Sequence, residues 1–149
     1  MSLAAHLDSG AVLLRSTAGD KWELLAQLVQ ALVRCGRIPA SQAAAALAAV
    51  EARERSVSTG MEQGIAVPHA ALDGLERVAA ALALLPQGLD FQSLDGQPAR
   101  IVVLLLVPRH EKLAHVRTLT EVARRLSDPV FRRRLLEAPD AAAAVELWS

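Results

Sequence analysis

Ile101-Val102-Val103-Leu104-Leu105-Leu106-Val107 is an unbroken run of seven aliphatic residues closed by Pro108, and no other stretch so narrows the folds open to this chain. A strand with one wet face alternates apolar and polar residues. A strand with no polar position along such a run, and with β-branched residues at its start, has to be covered on both faces. Proline ends it by removing a backbone donor. Two further strand candidates are Ile65-Ala66-Val67, stopped by Pro68, and Val78 through Leu85, stopped by Pro86 and Gly88. The alanines of the latter weaken its period and leave helix open there.

The covering layers are readable as helices. Asp20 followed by Glu23 is an N-cap arrangement, and Trp22, Leu25, Leu28, Val29, Leu32 and Val33 recur at helical spacing up to Gly36. Pro39 and Ser41 introduce an alanine-rich helix from Gln42 to about Arg53. From Arg53 to Gly64 the apolar period vanishes and serine, threonine and glycine accumulate, which predicts a loop. After Pro108, Leu113, Val116, Leu119, Thr120, Ala123 and Leu126 form an expected amphipathic stripe. Asp128 and Pro129 then open a short helix through Leu136, and Pro139 to Trp148 is a last one. Helices around few strands make a layered α/β domain the economical arrangement, and 149 residues suit one domain, 1–149.

Composition excludes several classes of function. Sixteen basic and sixteen acidic residues cancel, so no global field recruits nucleic acid or an anionic membrane. Neither Ile101 to Pro108 nor Val78 to Pro86 approaches the roughly twenty residues of a membrane span. The first residues lack the basic flank and apolar stretch of a secretion signal, so a soluble cytoplasmic protein is expected. Cys35 is the lone cysteine; it allows no intrachain disulfide or thiolate cluster and reads as packing material near a helix end.

Chemistry concentrates at His69, which follows Gly64-Ile65-Ala66-Val67-Pro68 and reads as an imidazole at an abrupt strand end. His115 lies near the start of the helix after the strongest strand. If the two strands are neighbours, their carboxyl ends bring both imidazoles to one rim, where open α/β sheets commonly bind ligands. A phosphoryl group would exploit such a pair. One neutral imidazole attacks phosphorus while its other nitrogen is held by a partner; the second imidazole donates to a phosphoryl oxygen, and a guanidinium offsets charge. Arg53 and Arg55 lie on the approach to His69, where solvated arginines are the plainer reading. Gly60 and Gly64 bracket a loop whose backbone donors, with the Ser58 and Thr59 hydroxyls, can cradle an oxyanion. Zinc would want three or four ligands, and no tight histidine-carboxylate spacing supplies them; no metal or cofactor is expected. His6 and His110 read as surface residues, and Arg132-Arg133-Arg134 as the polar face of a terminal helix.

The stretch Ser58-Thr59-Gly60-Met61-Glu62-Gln63-Gly64-Ile65-Ala66-Val67-Pro68-His69 resembles the enzyme IIA proteins of the bacterial phosphoenolpyruvate-dependent phosphotransferase system, in the fructose and mannitol superfamily. Arg53-Glu54-Arg55 upstream and Leu106-Val107-Pro108, with His115 seven residues after the proline, match in the same order. The Ser-Thr-Gly phrase, Phe91 through Pro98 and Leu119 through Leu136 look most similar to the nitrogen-regulatory branch, and the resemblance spans about residue 12 to Trp148. It implies an α/β sandwich with a central mixed sheet flanked by helices. It further implies a phosphohistidine at His69, a second active-site histidine at His115 and a phosphate-facing arginine at Arg53. Phosphate contacts at Ser58, Thr59 and Ala70 follow, with a partner surface around Arg55, Met61, Gln63, Val67 and Leu113. The implied donor is an HPr-like phosphocarrier. The implied recipient is a regulatory target or, in a sugar-specific protein, a IIB domain; a binding module that has lost exchange is a third outcome. Ala70 stands where the family usually has glycine, which would matter if that position needed positive φ. Gln63 replaces a glutamate found in sugar-transporting members and favours regulation.

Overall fold

The computed structural model describes residues 3–149. Its centre is β5 (Ala99–Pro108), where only Arg100 is exposed. On one side β5 pairs antiparallel with β4 (Ala79–Leu89); on the other it pairs parallel with β2 (Ile65–Ala66) and β3 (His69–Leu72) in succession. β1 (Leu7–Leu13) adds parallel to β4 at the far edge, which makes a mixed sheet of five strands.

The aliphatic run divides between two cores, as period-two alternation requires. Val102, Leu104 and Leu106 face α1 (Lys21–Arg34) and α2 (Ala43–Ser56), meeting Leu24, Leu28, Leu32, Ala46 and Val50. Ile101, Val103 and Leu105 face the other layer, meeting Val122 of α3 (Lys112–Leu126), Phe131 and Leu135 of α4 (Pro129–Leu136), and Ala144 of α5 (Ala141–Leu147). Trp148 closes this second core, stacked edge-on against Phe131 at 4.9 Å between centroids. Asp20 caps α1 by accepting the Glu23 amide at 2.8 Å, and Gly36, at φ +79°, takes the left-handed turn beyond it.

Several elements depart from what local pattern predicts. β1 lies in a stretch with no clean alternation, where Asp8, Ser9 and Gly10 interrupt the apolar residues; its place comes from pairing with β4. β4 runs on through Pro86 to Leu89, past the expected stop, and its register with β5 shifts between Leu84 and Leu89, because proline has no donor for the ladder. α2 continues to Ser56, so Arg53 and Arg55 sit on its last turn and not in a loop. The buried stripe of α3 is Thr118, Val122 and Leu126; Leu113 and Val116 of the expected stripe are 72% and 61% exposed. α5 is shorter than Pro139 to Trp148, with Asp140 as its N-cap. Among the described residues no helix is long and apolar enough to cross a membrane.

Candidate active site

His69 does not end a strand. Pro68 interrupts the ladder after Ala66, and the chain re-forms it at His69, which opens β3 opposite Leu105. Because side chains alternate along β3, Ala70 and Leu72 enter the core beneath α1 and α2, and His69 takes the other face. That is the face on which α3 begins. His115, in the first turns of α3, meets His69 edge-on with ring centroids 5.4 Å apart and an interplanar angle of 74°. The two imidazoles thus converge where β3 opens and α3 begins, each half-buried.

Their two rings are held differently. His69 Nδ1 lies 2.8 Å from the Val67 carbonyl oxygen. A carbonyl can only accept, so Nδ1 carries the proton and Nε2 presents its lone pair. The pKa of His115 is lowered from the ordinary histidine value, first by burial and then by repulsion from a charged His69. His115 is consequently a neutral ring at neutral pH, able to donate from one nitrogen.

The arginines take other positions. Arg53 donates from Nη1 to the Val57 carbonyl at 2.8 Å, and no hydrogen bond to either imidazole exists among the described residues. That bond uses one of five guanidinium donors. Arg55 stacks over Trp22 at 5.0 Å. Met61 and Gln63 are exposed on the loop, and Leu113 projects from the same helical turn as His115. Val67, expected to help form a docking surface, is 6% exposed and belongs to the core.

Both hydroxyls offered to an oxyanion are engaged by neighbouring protein groups. Ser58 Oγ donates to the Phe91 carbonyl and accepts the Gly60 amide at 3.0 Å. Thr59 is buried and donates through its hydroxyl to Glu54 Oε1. Ala70 is a ladder residue opposite Leu106, with its methyl in the core; among the described residues only Gln63 and Gln92 are non-glycine residues at positive φ, so alanine meets no backbone strain there.

Local pattern missed one constellation beside this site. Glu54 is 2% exposed and pairs with Lys21 Nζ at 3.0 Å. Its Oε2 also accepts the Thr59 amide at 3.0 Å, and Lys21 donates further to Gln92 Oε1 at 2.9 Å. The signal was present in the sequence: Ala46, Val50 and Glu54 recur every fourth residue, so the carboxylate shares the buried face of α2. Among the described residues no three histidine, cysteine or carboxylate side chains gather as metal ligands.

Similarity to known proteins agrees with this architecture. A nitrogen regulatory protein of Pseudomonas aeruginosa is 33% identical over 141 residues, covering 95% of this chain and 90% of that protein. The fructose-specific EIIABC component of Bacillus subtilis is 29% identical over 147 residues, 99% of this chain but 23% of that much longer protein. In structure, the nitrogen regulatory protein IIA-Ntr of Neisseria meningitidis superposes with a TM-score of 0.89 at 24% identity, covering 99% of both chains. Residues 5–149 match the family described as phosphoenolpyruvate-dependent sugar phosphotransferase system, EIIA 2, and with the paired imidazoles on a mixed sheet between two helical layers the chain belongs to that family.

Proposed function

We propose that this protein is a cytoplasmic phosphocarrier that accepts a phosphoryl group on His69 from the phosphohistidine of an HPr-like protein, and that its phosphorylation regulates a target protein. The observation that carries the reading is the bonding of His69: Nδ1–H is engaged by the Val67 carbonyl, which leaves the lone pair on Nε2, and the ring packs edge-on against His115. In the transfer, Nε2 attacks phosphorus in line, the N–P bond to the donor imidazole breaks, and its electron pair leaves with the donor ring. The Nδ1 proton stays on His69, and its bond to Val67 stabilises the positive charge the ring acquires. His115 donates an N–H to a phosphoryl oxygen, and the four remaining donors of Arg53 supply the charge clamp. The exposed Leu113, with Met61 on the loop, offers apolar surface for a transient partner.

Regulation is favoured over sugar transfer by the relative of nearly equal length, which is a nitrogen regulatory protein. The fructose-specific relative supports the second reading, in which phosphate passes on to a IIB domain. Incubation with a phosphorylated HPr-like carrier should yield acid-labile phosphate on His69 and none in His69→Ala; a label elsewhere, or none in the parent protein, overturns the assignment. Rapid onward passage to a sugar-specific IIB domain would replace the regulatory reading with the second.

A further inference from the structure

The carbonyl that orients His69 is itself held by a path that leads back to the buried ion pair. Val67 accepts from His69 Nδ1 through its oxygen, and its amide donates to the Thr59 carbonyl at 3.2 Å. Thr59 in turn is fixed by its own amide and hydroxyl, both bonded to Glu54. Glu54 is neutralised by Lys21, whose ammonium group also sits over the rings of Trp22 and Phe91 at 5.1 and 5.8 Å. Four segments therefore meet at one ion pair: the start of α1, the end of α2 and the site loop through Glu54, and the 91–92 segment through Lys21. Stability alone gives little reason for this arrangement, because a well-packed apolar pair of similar volume is commonly at least as stable as a buried ion pair. A fixed hydrogen-bond geometry is what an apolar pair cannot supply.

We propose that Lys21 and Glu54 are positioning residues for phosphoryl transfer, acting through Thr59 and Val67 to set the tautomer and aim of the His69 ring. The inference rests on His69 being the phosphoryl acceptor. Neither residue touches the reacting atoms. Glu54 also fixes the helical turn carrying Arg53, its sequence neighbour, so nucleophile and clamp take their placement from the same carboxylate. The role matches that of partners that hold the second nitrogen of metal-bound histidines.

The test separates folding from aim. Lys21→Met/Glu54→Leu replaces the pair with apolar side chains, and we expect a cooperatively folded protein whose kcat for accepting phosphate from a phosphorylated HPr-like carrier falls at least about tenfold, since small misplacements of reacting groups are that costly. KM for the carrier should stay unchanged, because the Lys21–Glu54 pair lies beneath the surface. Thr59→Val keeps both charges and the amide bond; it should lower kcat severalfold, speed amide exchange at Val67 and loosen the Nδ1–H tautomer seen by nitrogen NMR of His69. Wild-type kcat in a folded double variant, or in Thr59→Val if the double variant does not fold, overturns the proposal. Failure of the parent protein to accept phosphate would instead sink the acceptor reading, and Val67 exchange and the His69 tautomer would still decide whether the Lys21–Glu54 pair aims the ring.

Discussion

Two polar clusters, joined through Thr59 and Val67, are built on opposite principles. At the rim, His69 and His115 are half-buried and sparsely bonded, and one ring nitrogen of His69 is left without a protein partner in any described bond. Beneath the loop, Lys21 and Glu54 are buried and densely bonded, with the carboxylate accepting from Lys21 and twice from Thr59. The contrast teaches where reactivity can reside. A group that has to exchange bonds with a partner protein keeps an open valence at the surface, while a saturated buried group can only hold other groups in place.

The comparison breaks most visibly in stability. Glu54→Ala strands Lys21 as an uncompensated buried charge and should lower unfolding stability by about 3–5 kcal/mol, whereas His69→Ala should change it by less than about 1 kcal/mol, as a half-exposed residue with one hydrogen bond. Denaturant unfolding of the two variants measures this directly, and equal losses would erase the distinction. Next in size, His115→Ala should slow phosphoryl acceptance by roughly 10²-fold with His69 still labelled, the effect of removing one donor to developing charge. Unchanged single-turnover rates would remove His115 from the reaction.

The smallest effect is a pH dependence confined to the rim. His115 has a folded pKa below its unfolded value, from burial first and His69 second. Between the two values the unfolded chain binds more protons, so this group's contribution to stability is full above the unfolded pKa, about 6.5, and declines as pH falls toward the folded one. Proton NMR titration should show the His115 ring protonating at lower pH than in an unstructured peptide. Replacing His69 with alanine should move that midpoint upward, since the like-charge neighbour is gone; no movement would mean that burial alone sets it.

Much of the candidate site is legible in the sequence because the residue types that compose it stand in a short, ordered pattern. Pro68-His69 announced a break and an imidazole, and His115 was placed by the strand before it. The placement of His69 was misjudged locally: proline does stop β2, yet β5 is long enough to receive a second strand, and the ladder resumes at His69. The loop hydroxyls show the same limit. Ser58 and Thr59 have the right chemistry for a phosphate, and only their neighbours, Phe91 and Glu54, reveal that both are occupied.

By itself the sequence determined the central buried strand, the helical layers and the histidine pair, because periodicity and residue chemistry are local properties that survive without knowledge of neighbours. The tertiary structure alone decided that β1 would join the sheet edge, that Arg53 belongs to a helix turn bonded to Val57, and that Lys21 meets Glu54 across 33 positions of sequence. The physical reason is that burial and hydrogen-bond saturation are properties of the packed whole. A carboxylate between two arginines reads as solvated until the fold takes the water away.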